Sequence, residues 1–436
     1  MARLLADWAT MTRRFAIQTF GCRVNQSDSA GLARALRTAD WEQGSEEQAD
    51  LVVLNTCTVT HRSDADVRKA VHRLQRLRPQ AKVVVTGCMA QRVPEQLVTL
   101  GAHGVLGNAD KPRLAELAER VWTASAPVVL ASDITTRPPP VTDAYRSRPF
   151  VKIQDGCDAK CTYCIIPAVR GPARSAPVES VVSSVRALVE QGHHEIVLTG
   201  VHLGTYGAHL NPPTDFASLV RSVLTIGELG RLRLSCIEPM AFPESIVDLA
   251  VRERGLAPHF HLPLQSGSSR TLKRMVRPYR PESFVEVTRH IRARLPHACL
   301  GTDVIVGFPG ETDEEFSETA ALVERADLDY VHVFSYSDRE GTASTRLGPK
   351  VDAATIKARA RILNEWSGRH WRSFLERQVG MIRDGVSLEA KDGDLQVLTD
   401  NYVPLDVTQS ALPPNAPVRV RITNVAARRA VGELVA

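Results

Sequence analysis

Long apolar runs are missing from this chain. No stretch approaches the ~20 consecutive apolar residues that a membrane-crossing helix needs, so a helical membrane protein is not expected. A secretory leader is not expected either. Arg3, Asp7, Arg13 and Arg14 populate the start, and no apolar core with a small-residue cleavage site follows. A cytoplasmic location without a membrane partner is expected. Charge of one sign does not dominate: 54 Lys and Arg stand against 49 Asp and Glu, a net charge of +5. That balance permits a polyanionic partner without demanding one. The sequence shows no internal repeat and no low-complexity tract. Cysteine is sparse, with eight residues in 436: Cys22, Cys57, Cys88, Cys157, Cys161, Cys164, Cys236 and Cys299. In a large cytosolic chain disulfides explain them poorly. Metal ligation or catalysis explains them better.

What is present is an ordinary globular composition, 43% hydrophobic and 24% charged. At about 100–200 residues per domain the length suggests two to four domains. Residues 13–130 alternate short apolar runs with helical stretches. Phe15–Phe20 reads as a strand, and Asp50–Asn55 and Ala81–Thr86 read as buried parallel strands. Between the last two, Ser63–Leu77 carries Ala65, Ala70, Leu74 and Leu77 among basic residues, which suits an amphipathic helix. Strand–helix alternation implies an α/β domain with a parallel sheet. Cys22, Cys57 and Cys88 each follow one of these strands. Strand C-termini line one edge of a parallel sheet, so three residues distant in sequence are expected on one rim.

Residues 131–147, with Pro138-Pro139-Pro140, read as a linker. A second α/β stretch covers 148–373. Its strand candidates are Phe150–Gln154, Glu195–Thr199, Arg231–Ser235, Leu300–Val306 and Tyr330–Ser335, separated mostly by helices as in a full or partial β/α barrel. From 374 to 436 the pattern changes to short strand-like runs: Gln378–Gly380, Leu395–Leu398, Tyr402-Val403 and Val418–Ile422. A β-barrel of roughly sixty residues fits them.

Cys157-Asp-Ala-Lys-Cys161-Thr-Tyr-Cys164 puts three thiolates on one compact loop after a strand. Such a loop wraps a cubane cluster and ligates three of its four irons, whereas full protein ligation takes four cysteines. An amino acid with a free amine and carboxylate can chelate the open iron, and S-adenosylmethionine (SAM) offers both. Cluster potentials reach down to about −700 mV, low enough to cleave a sulfonium C–S bond reductively. A zinc knuckle fits worse, because zinc prefers four ligands in separated pairs. Tyr163 inside the loop can shield the cluster and face an adenine, or it simply packs. Gly200, Glu238, Gln265 and Asp303 follow or occupy barrel strands. They are candidate SAM contacts, although turns and internal polar networks explain such residues too.

The chain resembles the methylthiotransferases, radical SAM enzymes with a second cluster. The resemblance spans nearly the whole sequence. Its carriers are Gly21–Gln26, Asn55–Thr60, Val84–Gln91, Gln154–Pro167, Leu234–Pro239, His261–Gly267 and Thr302–Gly310. It implies that Cys157, Cys161 and Cys164 hold the catalytic [4Fe–4S] cluster, and that Cys22, Cys57 and Cys88 hold an auxiliary [4Fe–4S] cluster. The family motif has serine at position 236, so Cys236 departs from it. Cys236 and Cys299 are read as core thiols. Arg170 and Arg174 are candidate contacts to substrate or to the SAM carboxylate. A basic residue that the family shows between them is replaced here by Pro172-Ala173. The resemblance further implies a radical SAM partial (β/α) barrel and a C-terminal barrel like the TRAM module, an RNA-binding β-barrel.

The implied reaction inserts sulfur and a methyl group at an unactivated C–H bond. One SAM methylates a sulfur of the auxiliary cluster and a second supplies the radical, while the protein positions the reactants. Asn55–Thr60 and Gly200–Gly207 look like the branch acting on N6-threonylcarbamoyladenosine beside the tRNA anticodon. The same-class alternatives are isopentenyl-type tRNA adenosine and a ribosomal-protein aspartate. The different-class alternative is an iron–sulfur electron-transfer or cluster-storage protein. Arg274 and Arg277, within the run Arg270, Lys273, Arg274, Arg277 and Arg280, are candidate RNA contacts. Arg68, Lys69, Arg73 and Arg76 form a second basic run, and a helical charge run is usually a solvated face. Arg419, Arg421, Arg428 and Arg429 are the barrel's candidates. A flavodoxin or ferredoxin reductant and a monomer are expected.

Overall fold

The computed structural model describes residues 13–134, 148–388, 394–408 and 412–435. Most of the expected linker, 135–147, lies outside the described residues, as do Arg3 and Asp7. The chain forms two compact units. One comprises the chain up to residue 134 together with Asp155–Ala159 and Cys164–Ala173. The other comprises 148–154, Lys160–Tyr163 and the chain from Arg174 onward.

The first unit is built on a six-stranded sheet: β1 (Arg14–Thr19), β2 (Glu42–Gln43), β3 (Leu51–Thr56), β4 (Lys82–Gly87), β5 (Gly104–Leu106) and β6 (Val128–Leu130). The spatial order is β2-β1-β3-β4-β5-β6. Every pairing is parallel. β3 is buried along its whole length, which its Leu-Val-Val-Leu run requires. Alternation then divides the core. Val52, Leu54, Val83 and Val85 face Val67, Val71 and Leu74 of helix His61–Leu77. Leu51, Val53 and Val84 face Leu32 and Leu36 of helix Arg23–Thr38 and Leu117 of helix Leu114–Thr123. Each such Val or Leu contributes about 1.5–3 kcal/mol when fully buried. The helix expected from Ser63 begins at His61, because the Thr60 hydroxyl accepts the Ser63 amide at 3.2 Å.

The second unit contains six parallel strands in two sheets of three. β7 (Phe150–Lys152), β8 (Glu195–Thr199) and β9 (Arg231–Leu234) form one; β10 (His259–His261), β11 (Cys299–Val306) and β12 (Tyr330–Ser335) form the other. A parallel bridge, Leu232↔Leu256, leads from β9 toward β10. Helices Val178–Glu190, Phe216–Leu224, Ser245–Arg252, Pro281–Arg294 and Asp313–Arg325 make the crossovers, as a partial (β/α) barrel demands. β10 was not anticipated: three residues, His-Phe-His, are too short for a periodicity signal.

Helix Ala353–Glu376, capped by Asp352, leads to a closed barrel. Its strands are β13 (Ile382–Ser387), β14 (Leu395–Thr399), β15 (Pro404–Val407), β16 (Pro417–Ala426) and β17 (Arg429–Leu434), ordered β13-β14-β15-β17-β16. Gln378–Gly380 and Tyr402-Val403, expected as strands, are turn and loop instead. Gly380 at φ +86° cannot continue a strand. Cys299 and Tyr330 share a core with Phe374, Leu395, Leu405 and Ile422, so Cys299 is the core thiol expected. Cys236 is not, because it is exposed.

A buried carboxylate ties the closed barrel to β8 and β9. Glu195 pairs with Arg233 at 2.9 Å, Arg148 at 3.0 Å and Arg231 at 3.4 Å. Arg233 also donates to the Thr399 carbonyl at 3.0 Å, and Asn415 accepts the Glu195 amide at 2.8 Å. Burial raises the Glu195 pKa, but the three arginines override it and bring it down to about 2. Among the described residues no helix is long and apolar enough to cross a membrane.

Candidate cluster and cofactor site

In the first unit, β1, β3 and β4 are spatial neighbours, so their C-termini deliver three cysteines to one rim. Cys22 caps helix Arg23–Thr38 and is exposed; Cys57 directly follows β3; Cys88 opens helix Cys88–Arg92 directly after β4. Two glycines permit the convergence. Gly21, at φ +95°, would put a Cβ 2.5 Å from Cys57 Cβ and 3.0 Å from its Sγ. Gly87, at φ +99°, would put one 2.4 Å from the Thr56 carbonyl. Asn25 stitches the rim by donating to the carbonyls of Phe20 at 2.8 Å and Thr56 at 2.9 Å. Asn55 answers by donating to the Asn25 carbonyl at 2.8 Å. Burial pushes the Cys57 thiol up to about 12, and the adjacent Cys88 and Cys22 sulfurs push the same way. Three sulfurs whose negative charges oppose one another suit a cationic iron centre, which holds such ligands deprotonated. Asn108 Nδ2 approaches Cys88 Sγ at 3.7 Å, and its buried Oδ1 has no protein partner.

The loop segments Asp155–Ala159 and Cys164–Ala173 belong to this unit too. Cys157 and Cys164 are partly exposed. The Ala159 amide donates to Cys157 Sγ at 3.4 Å, and the Cys157 amide donates to the Gly171 carbonyl at 3.1 Å. Gly156, at φ +72°, is obligatory, since a Cβ there would lie 1.9 Å from the Pro172 carbonyl. Arg170, expected to reach substrate, is 1% exposed and engaged inside the unit. It grips Asp155 with bonds of 2.9 and 3.1 Å, Asp28 at 3.1 Å, and Asn25 Oδ1. Burial opposes its charge, but Asp155, the Cys88 sulfur and Asp28 hold it firmly protonated.

In the second unit, Cys161 is partly exposed and accepts from Arg277 Nη1 at 3.5 Å. Hydrogen bonds to cluster sulfurs tune potential. Thr162 pins this turn through the carbonyls of Met275 at 3.1 Å and Arg274 at 2.9 Å. Tyr163 packs edge-on against Phe308, with centroids 6.4 Å apart. Gln154 Oε1 accepts the amides of Val201 at 2.9 Å and His202 at 2.8 Å, fixing the turn after Gly200. A Cβ on Gly200 would stand 2.8 Å from Leu203 Cδ2. Glu238 pairs with the buried Arg277. Gln265 sits at φ +67°, a conformation costing of order 1–3 kcal/mol outside glycine. It holds that conformation by bridging Val304 on β11.

Two sets of candidate residues already have partners within the unit. Asp303, a candidate SAM contact, is occupied by His261 Nε2 at 2.9 Å and His332 Nδ1 at 3.3 Å. Burial would raise its pKa, yet the two histidines hold it well below the usual carboxylate range. Arg274 and Arg277, candidate RNA contacts, are also taken. Arg274 binds Glu315 at 2.5 Å, and Arg277 is 6% exposed. Arg174 is partly exposed. Asn25, Asn108, Gln154 and the histidines around Asp303 were missed. Asn25 and Gln154 lie inside the motif stretches, but nothing in a linear sequence says which amides a side chain will bridge.

Residues 151–323 match the radical SAM superfamily, and residues 14–107 match the uncharacterized protein family UPF0004. The fold and cysteine loop therefore define a radical SAM protein with an added N-terminal α/β unit. The threonylcarbamoyladenosine tRNA methylthiotransferase MtaB of Aquifex aeolicus is 36% identical over 89% of this chain and 95% of that protein. Its namesake from Bacillus subtilis is 34% identical over 89% of each. The tRNA-2-methylthio-N(6)-dimethylallyladenosine synthase of Leifsonia xyli is 33% identical over 80% of this chain and 66% of that protein. In fold, the chain is similar to the radical S-adenosylmethionine methyltransferase TsrM from Kitasatospora setae. The TM-score is 0.54 at 18% identity, covering 74% of this chain and 75% of that one. The chain belongs to the methylthiotransferase family of radical SAM enzymes. An iron–sulfur cluster and SAM come with that membership.

Proposed function

We propose that this chain methylthiolates C2 of N6-threonylcarbamoyladenosine next to the anticodon of tRNA, with two [4Fe–4S] clusters and two SAM molecules. The observation that carries the reading is the pairing of two thiol triplets, one on a local loop and one on three adjacent strand ends, each a ligand short of a closed cubane. The threonylcarbamoyl branch is favoured because relatives so named reach 34–36% identity, against 32–33% for those named for dimethylallyladenosine.

Cys157, Cys161 and Cys164 hold the catalytic cluster in this reading, and Cys22, Cys57 and Cys88 the auxiliary one. When bound, clusters and SAM supply the radical chemistry that an aromatic C–H bond requires. The chain's own work is positioning. Gln154 holds the Gly200 turn open for a close backbone approach. Glu238, oriented by Arg277, offers a carboxylate to an amine or hydroxyl. Gln265 stays near β11, and Tyr163 covers the loop. Arg170 acts by holding Asp155, Asp28 and Asn25 in register, and not by touching RNA. The exposed Lys273 and Arg280, with the surface-paired Arg270, Arg419 and Arg421 and the partly exposed Arg174, offer positive charge to phosphates. Domains of 13–130, 148–373 and 374–436 joined by a 131–147 linker, a flavodoxin or ferredoxin donor, a monomer and a cytoplasmic location complete the proposal.

Nucleoside mass spectrometry of tRNA from a strain lacking this protein tests it. The 2-methylthio form of N6-threonylcarbamoyladenosine should vanish and return on complementation. Loss of the 2-methylthio isopentenyl form instead, or unchanged tRNA, would overturn the assignment.

A further inference from the structure

Inside the second unit a thiol, an imidazole and a carboxylate meet, and none of them is among the six cysteines assigned to clusters. Cys236 follows β9, His261 ends β10, and Asp303 lies on β11. These elements are fixed to one another. β10 and β11 pair in register with His261 opposite Gly301, and the Ile237 amide donates to the His261 carbonyl at 3.0 Å. One ligand atom from each of the three residues lies within 4.8 Å of the other two.

We propose that Cys236, His261 and Asp303 form a binding site for a single zinc-class divalent cation. Four observations support this. First, the donor set is one thiolate, one imidazole nitrogen and one carboxylate oxygen, a combination that suits zinc better than magnesium or calcium. Second, the imidazole is oriented: His261 Nδ1 is held by the Tyr330 hydroxyl at 3.0 Å, which leaves Nε2 directed at Asp303 Oδ1, 2.9 Å away. A hydrogen-bonded second ring nitrogen is the usual arrangement of a metal-bound histidine. Third, metal–ligand bonds of about 2.0–2.3 Å need donor separations of roughly 3–4 Å, within reach of these atoms by side-chain adjustment alone. Fourth, Cys236 is exposed, so an ion has a way in. The thiolate and carboxylate balance the ion's two charges. Three protein donors leave a fourth position for water or an external thiolate, while His332 Nδ1, 3.3 Å from Asp303 Oδ1, flanks the site. Zinc has no accessible redox couple, so it tolerates a strongly reducing neighbour.

The site shares no ligand with the clusters, so its test does not depend on the proposed transfer reaction. Anaerobically reconstituted full-length holoprotein is incubated with zinc chloride, desalted, and assayed for zinc, iron and sulfide. One zinc per chain should be retained. Cys236→Ser and Asp303→Asn should each lower retention at least tenfold at unchanged iron and sulfide. Cobalt in place of zinc should add a thiolate-to-cobalt absorption in the wild-type minus Cys236→Ser difference spectrum. Cys236 is exposed, so its serine variant is not expected to fail to fold. Only trace zinc in the wild type, or equal retention and no cobalt–thiolate band difference in Cys236→Ser, would overturn the site and leave an ordinary His–Asp hydrogen bond beside a bystander thiol.

Discussion

The two thiol triplets assemble by opposite routes. Cys157, Cys161 and Cys164 lie within eight residues, and their loop uses local devices, Gly156 at positive φ and an amide aimed at Cys157, besides the long-range Thr162 bonds to Arg274 and Met275. Cys22, Cys57 and Cys88 are spread over 67 residues and meet only because β1, β3 and β4 are neighbours in a parallel sheet. A local triplet has its spacing set by the chain itself. A distributed one inherits every error of strand order and register. The buried charges show a similar inversion. Arg170 is a cation enclosed by two carboxylates and Asn25, whereas Glu195 is an anion enclosed by three arginines.

The largest effect expected is on the triplets themselves. Cys161→Ala should reduce deoxyadenosine release from SAM to background. Cys57→Ser should leave that release largely intact while halving bound iron and abolishing methylthiolation. If both variants lose SAM cleavage alike, the two triplets are not separate sites.

Arg170→Met comes next. It takes the arginine away from the buried Asp155 and leaves Asp28 with Lys111, and removing one partner of a buried ion pair costs about 3–5 kcal/mol. Urea denaturation should show that loss. A drop below about 1 kcal/mol would mean that Arg170 is not the internal strut its burial implies.

The smallest is a pH effect at Glu195. Its folded pKa, about 2, lies below the ordinary 4.5. The linked stability is therefore complete above about pH 4.5 and lost as the pH falls toward 2. It amounts to something on the order of 3 kcal/mol. Glu195→Gln should flatten stability against pH across that window, measured by thermal unfolding of the full chain. An unchanged slope would assign the acid sensitivity to other carboxylates.

Motif spacing and strand patterning made the α/β class, the three-cysteine loop and the rim cysteines legible. Apolar β-branched runs of five or six residues announce buried strands, and glycine next to cysteine announces a tight strand exit. Short elements escaped. β10 has too few residues for a period, β17 reads as polar, and Tyr402-Val403 carries the aromatic and β-branched types of a strand although Tyr402 stacks on His259 with centroids 3.9 Å apart. Site residues divided the same way. Cysteines stand out because few residues do their chemistry, whereas the partners that Arg170, Arg274, Arg277 and Asp303 find in the fold are invisible in one dimension.

By itself the sequence determined the class of chemistry, since ligand identity and spacing are properties of the chain, and it determined that the fold is layered α/β, since hydrophobic periodicity is local. Only the tertiary structure decided which charges face inward, which thiol is core and which is exposed, and that Cys236, His261 and Asp303 meet. Those outcomes depend on strand order and on the energetic demand that every buried charge find a partner, and neither is written in neighbouring residues.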